Sequence, residues 1–393
     1  MNTFDSELNQ RLDDLRQQGL LRQLHRVDSA QSPRIQIDGR TLLNFSSNDY
    51  LGLANDPALK DAAIRAVERF GSGAGASRLV CGSLAPHHEL EEALAAFKGT
   101  RAALAFSSGY ATAVGTITAL LGKDDIIIVD KLVHASIVDA AKLAGAKLRV
   151  FAHNDLDSLE DKLKWAATQS TSTVKRQTLI VTESVFSMDG DRAPLREIVA
   201  LKDRYGAWLM VDEAHSTGLF GKNGRGLADE LGVSNGIEVQ MGTLGKALGA
   251  SGGFICGSRS LVDFLVNRAR SFVFSTAPVP ATAAAARAAV ELVQSPEGES
   301  RRKVLRNHIA EFTRHDPRIK IQSAILPIII GNEAKAVKAA AALRERGLFV
   351  PAIRYPTVAR GEARLRITLT AAHSVADVST LLQTLDEIVP RKS

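Results

Sequence analysis

Lys246 stands among glycines and small apolar residues, in Gly242-Thr243-Leu244-Gly245-Lys246-Ala247-Leu248-Gly249. A lysine drawn out of water loses charge stabilisation, so its pKa falls and its amine becomes nucleophilic. Upstream, Trp208-Leu209-Met210-Val211-Asp212-Glu213-Ala214-His215 passes from apolar to acidic, as a buried strand does at its end. A carboxylate there complements such a lysine. Together they suit pyridoxal phosphate (PLP) chemistry, in which a lysine forms the Schiff base and an aspartate keeps the pyridine nitrogen protonated. The competing reading makes Asp212 a helix cap. Glu213 is expected to face away from Asp212, because strand neighbours point to opposite sides, and so to form no acid/base dyad with it.

His134 follows the apolar run 126–129, in Asp130-Lys131-Leu132-Val133-His134-Ala135-Ser136. A flat imidazole at a strand end can stack on an aromatic ring, although a lone histidine serves as often in a core or on a surface. Phe106-Ser107-Ser108-Gly109-Tyr110 leaves another apolar run and opens a helical stretch over 111–121. Free N–H groups and the positive end of the dipole make such a turn an anion site, and a phosphate suits it. A plain strand-to-helix turn is the alternative. Thr243 can add a hydroxyl to the same phosphate.

Three further motifs point elsewhere and fail on their context. Asp212-Glu213-Ala214-His215 spells the box of a nucleic-acid-dependent ATPase, which also needs the phosphate loop G-x-x-x-x-G-K-[ST]. Here Gly245-Lys246 is followed by Ala247, and Gln240 occupies the first glycine position. Gly71-Ser72-Gly73-Ala74-Gly75 follows a helical segment, 62–70, where a dinucleotide loop would follow a strand. His87-His88-Glu89 lacks the second histidine of H-E-x-x-H, so no metal is expected; Pro86 starts a helix there instead.

Positioning these residues requires a sheet. Apolar runs at 102–106, 126–129, 148–151, 178–182, 207–211, 237–241 and 253–256 alternate with amphipathic segments, such as the one over 195–204. That alternation predicts an α/β fold with a mainly parallel seven-stranded sheet covered by helices, whose chemistry gathers at the carboxyl ends of the strands. An alanine-rich helix over 281–293 is expected to bridge to a smaller C-terminal α+β domain. That domain has strands at 325–330, 349–353 and 363–369, and helices near 333–346 and 375–388. The expected division is an N-terminal helix and lead-in over 1–45, a large cofactor domain over 46–285 and the small domain over 286–393.

The totals agree with a soluble protein of two domains: 393 residues, 45% hydrophobic and 23% charged. The net charge of +6 could draw in an anionic thioester or an acidic carrier protein, and does not by itself indicate nucleic acid. Two cysteines, Cys81 and Cys256, are too few and too far apart for a disulfide framework, which fits a cytoplasmic home. Leu8, Leu12, Leu15 and Leu20 recur at roughly helical spacing near the N-terminus, with acids throughout and no signal-peptide core.

Taken in order, these pieces resemble the α-oxoamine synthases, a family of fold-type I PLP-dependent transferases. The likeness spans nearly the whole chain. It rests on Asn44-Phe45-Ser46-Ser47-Asn48-Asp49-Tyr50-Leu51-Gly52-Leu53, on 73–82, on Phe186-Ser187-Met188-Asp189-Gly190, on 212–215 and 243–246, and on Ala352-Ile353-Arg354-Tyr355-Pro356-Thr357-Val358. The last segment, with 365–373, points to the branch of the family that serves biotin biosynthesis. Glu213 departs from members that carry a second aspartate.

The resemblance implies a role for each matching residue. Lys246 is the Schiff-base lysine and general base, Asp212 pairs with the ring nitrogen, and His134 stacks on the ring. His215 and Ser187 lie near the ring hydroxyl, while Gly109, Tyr110 and Thr243 surround the phosphate. Ser275 and Thr276 reach the phosphate of a neighbouring subunit, implying a homodimer with shared sites. Arg354 holds the amino-acid carboxylate, and Arg22, Asn48 and Thr357 line the substrate entrance. The implied reaction joins L-alanine to a pimeloyl group carried on coenzyme A or on acyl carrier protein. Joining glycine to acetyl-CoA is the alternative within the family; outside it stands a non-catalytic PLP-binding protein or a nucleic-acid-dependent ATPase.

Overall fold

A computed structural model describes residues 3–169, 176–315 and 322–389. The chain divides into two compact units, Asn48–Arg306 and Met1–Ser47 with Asn307–Ser393.

In the unit Asn48–Arg306, all seven apolar runs become strands of one sheet. Its order is Ala102–Phe106, Gly253–Gly257, Val239–Thr243, Trp208–Asp212, Thr178–Glu183, Ile126–Asp130 and Lys147–Phe151. The last five strands run parallel, and Gly253–Gly257 is antiparallel to both of its neighbours. The reversal has a simple cause. No helix separates Val239–Thr243 from Gly253–Gly257, so the chain cannot cross over and must turn back. Lys246 sits in that turn.

Ala102–Phe106, Ile126–Asp130 and Gly253–Gly257 are buried at every position, as strands covered on both faces must be. On one face Leu104, Ile127, Val181, Met210, Met241 and Ile255 pack with Ile117 and Ile137 of the covering helices. Each such side chain contributes about 1.5–3 kcal/mol when fully buried. The alanine-rich helix Pro280–Gln294, expected to lead into the small domain, lies wholly inside this unit, packed on Pro57–Phe70 and Ala85–Lys98. Its apolar face is what that packing buries: Ala283, Ala286 and Ala289 are small enough to let the helices approach. The boundary between units falls later, inside Pro296–His315.

The other unit holds two three-stranded sheets. In one, Ile325–Gly331, Ala363–Thr368 and Ala352–Ile353 pair antiparallel. In the other, Arg34–Ile37 and Arg40–Asn44 form a hairpin joined by Leu348–Phe349. Asp38 and Gly39, both at positive φ (51° and 73°), make the tight turn that an Asp-Gly pair favours. The single strand expected over 349–353 is thus two short ones in different sheets. Pro351 lies between them and has no N–H to continue a ladder. The N-terminal helix Thr3–Gln17 buries none of its residues. Among the described residues, no helix is long and apolar enough to cross a membrane.

Candidate active site

The turn carrying Lys246 is held by contacts that only glycine allows. Gly249 has φ +60°, and a Cβ there would lie 2.5 Å from the backbone of Leu53. A Cβ on Gly218, at φ +87°, would lie 2.9 Å from that of Ala247. The turn is thereby wedged against the segment 48–54. That segment is itself folded by Asp49, whose carboxylate accepts the N–H groups of Leu53 (2.7 Å) and Ala54 (3.0 Å).

Lys246 Nζ lies 2.6 Å from His215 Nε2, and His215 Nδ1 lies 2.6 Å from the hydroxyl of Tyr50. Tyr50 Oη in turn donates to Asn48 Oδ1 at 3.3 Å. Tyr50 and His215 are buried, and Lys246 is half-buried. The result is a line of hydrogen-bonding groups running from the lysine amine into the core. Asn48, expected at the substrate entrance, ends that line. Tyr50 was given no role of its own; it stands in the 44–53 motif, after Ser46-Ser47-Asn48-Asp49, and nothing in that segment tells which distant polar group its hydroxyl will meet.

Asp212 ends its strand with the carboxylate buried and accepts the N–H of Ala214 at 2.9 Å. Burial raises its pKa, while Lys246, the Ala214 N–H and His134 act to lower it. Glu213 does turn the other way. Its carboxylate binds Lys98 Nζ, the Ser216 hydroxyl (3.1 Å) and the Ala228 N–H (3.0 Å). The acid that does neighbour Asp212 comes from the next strand: Glu183 stands opposite it in the parallel register. The sequence carried a signal for this, since 178–182 also runs from apolar into an acid.

His134 caps the helix Ala135–Ala144. Its Nδ1 accepts the Ser136 N–H at 3.2 Å, which orients the ring of this partly solvent-exposed residue. Burial lowers its pKa, against the pull of Asp212. Ser187 is buried, its N–H donating to Glu183 Oε2 at 3.2 Å.

The helix Gly109–Leu120 starts where the sequence placed an anion site. Ser108 caps it, accepting the Ala111 N–H at 3.1 Å. Tyr110 is exposed and donates its hydroxyl to Asp139 at 3.1 Å. Thr243 Oγ1 would lie 4.0 Å from a Cβ on Gly109, and one on Gly253 would fall 2.9 Å from the Gly109 Cα. Glycine at 253 lets the start of the helix lie close against the strand, whereas Gly109 has room for a Cβ. Thr276 is exposed and bridges Ser77 of its own chain.

Arg22, Arg354 and Thr357 lie in the other unit, where they come together. Arg22 Nη2 donates to Thr357 Oγ1 at 3.3 Å, and Arg354 Nη2 donates to the Leu21 carbonyl at 2.9 Å.

The donor set of the larger unit fits PLP: an amine on a short turn, a buried carboxylate, a partly exposed imidazole, and a capped helix start with a threonine hydroxyl beside it. Comparison with known proteins agrees. Residues 40–385 match the family of class I and II aminotransferases. An 8-amino-7-oxononanoate synthase of Anaeromyxobacter dehalogenans is 49% identical over 384 residues, 96% of this chain and 94% of the relative. The chain belongs to the 8-amino-7-oxononanoate synthases. The solved 8-amino-7-oxononanoate synthase of Francisella tularensis has a TM-score of 0.74 at 27% identity, covering 88% of this chain and 97% of its own. A serine palmitoyltransferase from S. paucimobilis, solved with bound PLP and myriocin, gives a TM-score of 0.90 at 29% identity over 99% and 98% of the two chains. Members of the 8-amino-7-oxononanoate synthase family are PLP-dependent acyltransferases of biotin biosynthesis with the fold-type I architecture, and this chain is one of them.

Proposed function

We propose that the chain condenses L-alanine with a pimeloyl thioester, releasing carbon dioxide and a free thiol and giving 8-amino-7-oxononanoate. What supports this most is the line from half-buried Lys246 through buried His215 and Tyr50, beside Asp212, in a chain of this family. PLP, when bound, supplies an electron sink for negative charge at the alanine Cα.

The chain's own residues do the rest. Lys246 Nζ takes the Cα proton and later returns one. Asp212 holds a proton on the ring nitrogen by its negative charge. His134 offers its face to the ring, and His215 and Ser187 hold its hydroxyl. Gly109, Tyr110 and Thr243 bind the phosphate, with Thr276 of a second copy completing the site in a homodimer. Arg354 binds the alanine carboxylate, and Arg22, Asn48 and Thr357 line the path of the thioester. A bond forms between Cα and the thioester carbonyl carbon as the C–S bond breaks, and the thiolate leaves to take up a proton. The bond from Cα to its carboxylate then breaks, carbon dioxide departs, and the proton from Lys246 takes its place.

A matrix of amino acids against acyl thioesters, scored by thiol release, tests the substrate assignment. L-alanine with pimeloyl-CoA or pimeloyl-acyl carrier protein should give the highest rate. Preference for glycine with acetyl-CoA would assign the chain to the other reaction of the family.

A further inference from the structure

Three neighbouring strands of the sheet end in acids: Asp130, Glu183 and Asp212. All three are buried. A buried carboxylate needs a cation or several donors to stay ionised. Asp130 has both, in His153 Nδ1 at 2.9 Å and the N–H groups of Leu132 (2.8 Å) and Asn154 (2.9 Å). His153, clamped also by Asp191 at 2.8 Å, is a matched cation: burial alone would lower its pKa, but the two aspartates raise it to about 10. Asp212 has Lys246 and the Ala214 N–H.

Glu183 has less. Its Oε2 accepts the Ser187 N–H, the backbone N–H of His134 also turns to its carboxyl, and its Oε1 is buried with no hydrogen-bond partner. Being in register with Asp212 on a parallel strand, it points to the same side of the sheet. Among the described residues, the charged and titratable groups that act on this pair from its own side are Lys246, with His215 on its amine, and His134; Glu213 acts on Asp212 only from the far side, where Lys98 matches its charge. One lysine is left for two carboxyl groups. Two acids so placed in a dry site titrate as a pair and keep one proton between them.

We propose that Glu183 and Asp212 share a single negative charge, with the retained proton on Glu183, which makes Glu183 a positioning residue. Its neutral carboxyl group ties the loops bearing His134 and Ser187 to the sheet and leaves the charge on Asp212, where the ring nitrogen needs it. Burial first, and then the charge of Asp212, push the Glu183 pKa up to about 8, against Lys246 and the two N–H donors. The inference deepens the role given to Asp212 above and is independent of which thioester is used.

The sign of the pH effect follows from that shift. The folded pKa, about 8, lies above the ordinary 4.5, so the folded state holds a proton that the unfolded state gives up between those values. Stability attributable to this group is present below the lower value and is lost as pH rises to the upper one. Glu183→Gln copies the neutral group and cannot ionise. Melting of the full chain, with and without saturating PLP, should therefore show Glu183→Gln gaining on the wild type as pH rises between those limits. PLP retention at neutral pH should stay within about threefold in Glu183→Gln and fall about tenfold or more in Glu183→Ala, which leaves both loop N–H groups without an acceptor. A melting difference that is constant with pH, or that widens in favour of the wild type, would overturn the proposal.

If Glu183→Gln does not fold, isotope-edited infrared spectra of wild type labelled at its glutamates serve instead. A protonated carboxyl band at neutral pH that vanishes on alkaline titration is expected, and its absence contradicts the shared charge. Melting and infrared readouts need no turnover. A negative result there, with Asp212→Asn still inactive, would sink the shared charge and leave the site assignment standing.

Discussion

Lys98 and Lys246 both leave bulk water within the same unit, and their surroundings make them different reagents. The Lys98 side chain is 2% exposed and its amine binds the Glu213 carboxylate, itself fully buried, and the Arg225 carbonyl. That lysine is closed: its amine is taken up by a buried anion and a carbonyl. Lys246 is half-buried on a turn, and its amine meets an imidazole at 2.6 Å, a partner that accepts or donates according to its tautomer. Adjacent residues separate the two cases. Asp212 and Glu213 point to opposite sides of one strand end, so one acid is left for the role in chemistry proposed above and the other is bound into the fold by Lys98. Burial alone does not make a lysine reactive; the partner decides.

If the comparison holds, the largest effect belongs to Lys246→Ala. Activity should drop by about 10⁴-fold, the upper range for losing a positioned base, while the melting temperature hardly moves. Lys98→Met should do the reverse. It leaves Glu213 buried and unpaired, so denaturant unfolding should show a loss of about 3–5 kcal/mol, and adding Glu213→Gln should recover much of it. Little recovery in the double variant would mean that Lys98 acts by packing its stem and not by charge.

Asp212→Asn should keep PLP, because the phosphate site and Lys246 remain, yet lose about 100-fold in kcat, equivalent to about 2.7 kcal/mol. A variant within a few-fold of wild type would make Asp212 structural, like its neighbour. Thr276→Val is the mildest probe. If a second copy's Thr276 reaches the phosphate, losing its hydroxyl should cost about 0.5–1.5 kcal/mol in PLP affinity, and PLP removal should weaken dimerisation in a sedimentation dilution series. A monomer that binds PLP and turns over at full rate would rule out sharing.

The same contrast explains what the sequence made legible. Runs such as 102–106 and 126–129 read as strands because continuous apolar segments need cover on both faces. Lys246 and Asp212 stood out because their types are costly in apolar company. Tyr50, within the 44–53 motif, and Glu183, at the end of an apolar run, were visible as residues but not in their roles, since each gains its meaning from a partner more than 25 residues away, and neither register nor partner is written locally. The direction of Gly253–Gly257 was legible in principle from the missing crossover helix. The helix Pro280–Gln294 misled because an alanine-rich stretch declares its helicity but not which neighbour it packs on.

Borohydride reduction of the PLP-loaded protein, followed by peptide mapping, bears on all of this at once. The purified protein should be yellow, and the reduced cofactor should be found on Lys246, with Lys98 unlabelled. Label on Lys98 or on any other lysine, or a colourless protein that ignores added PLP, would contradict the account.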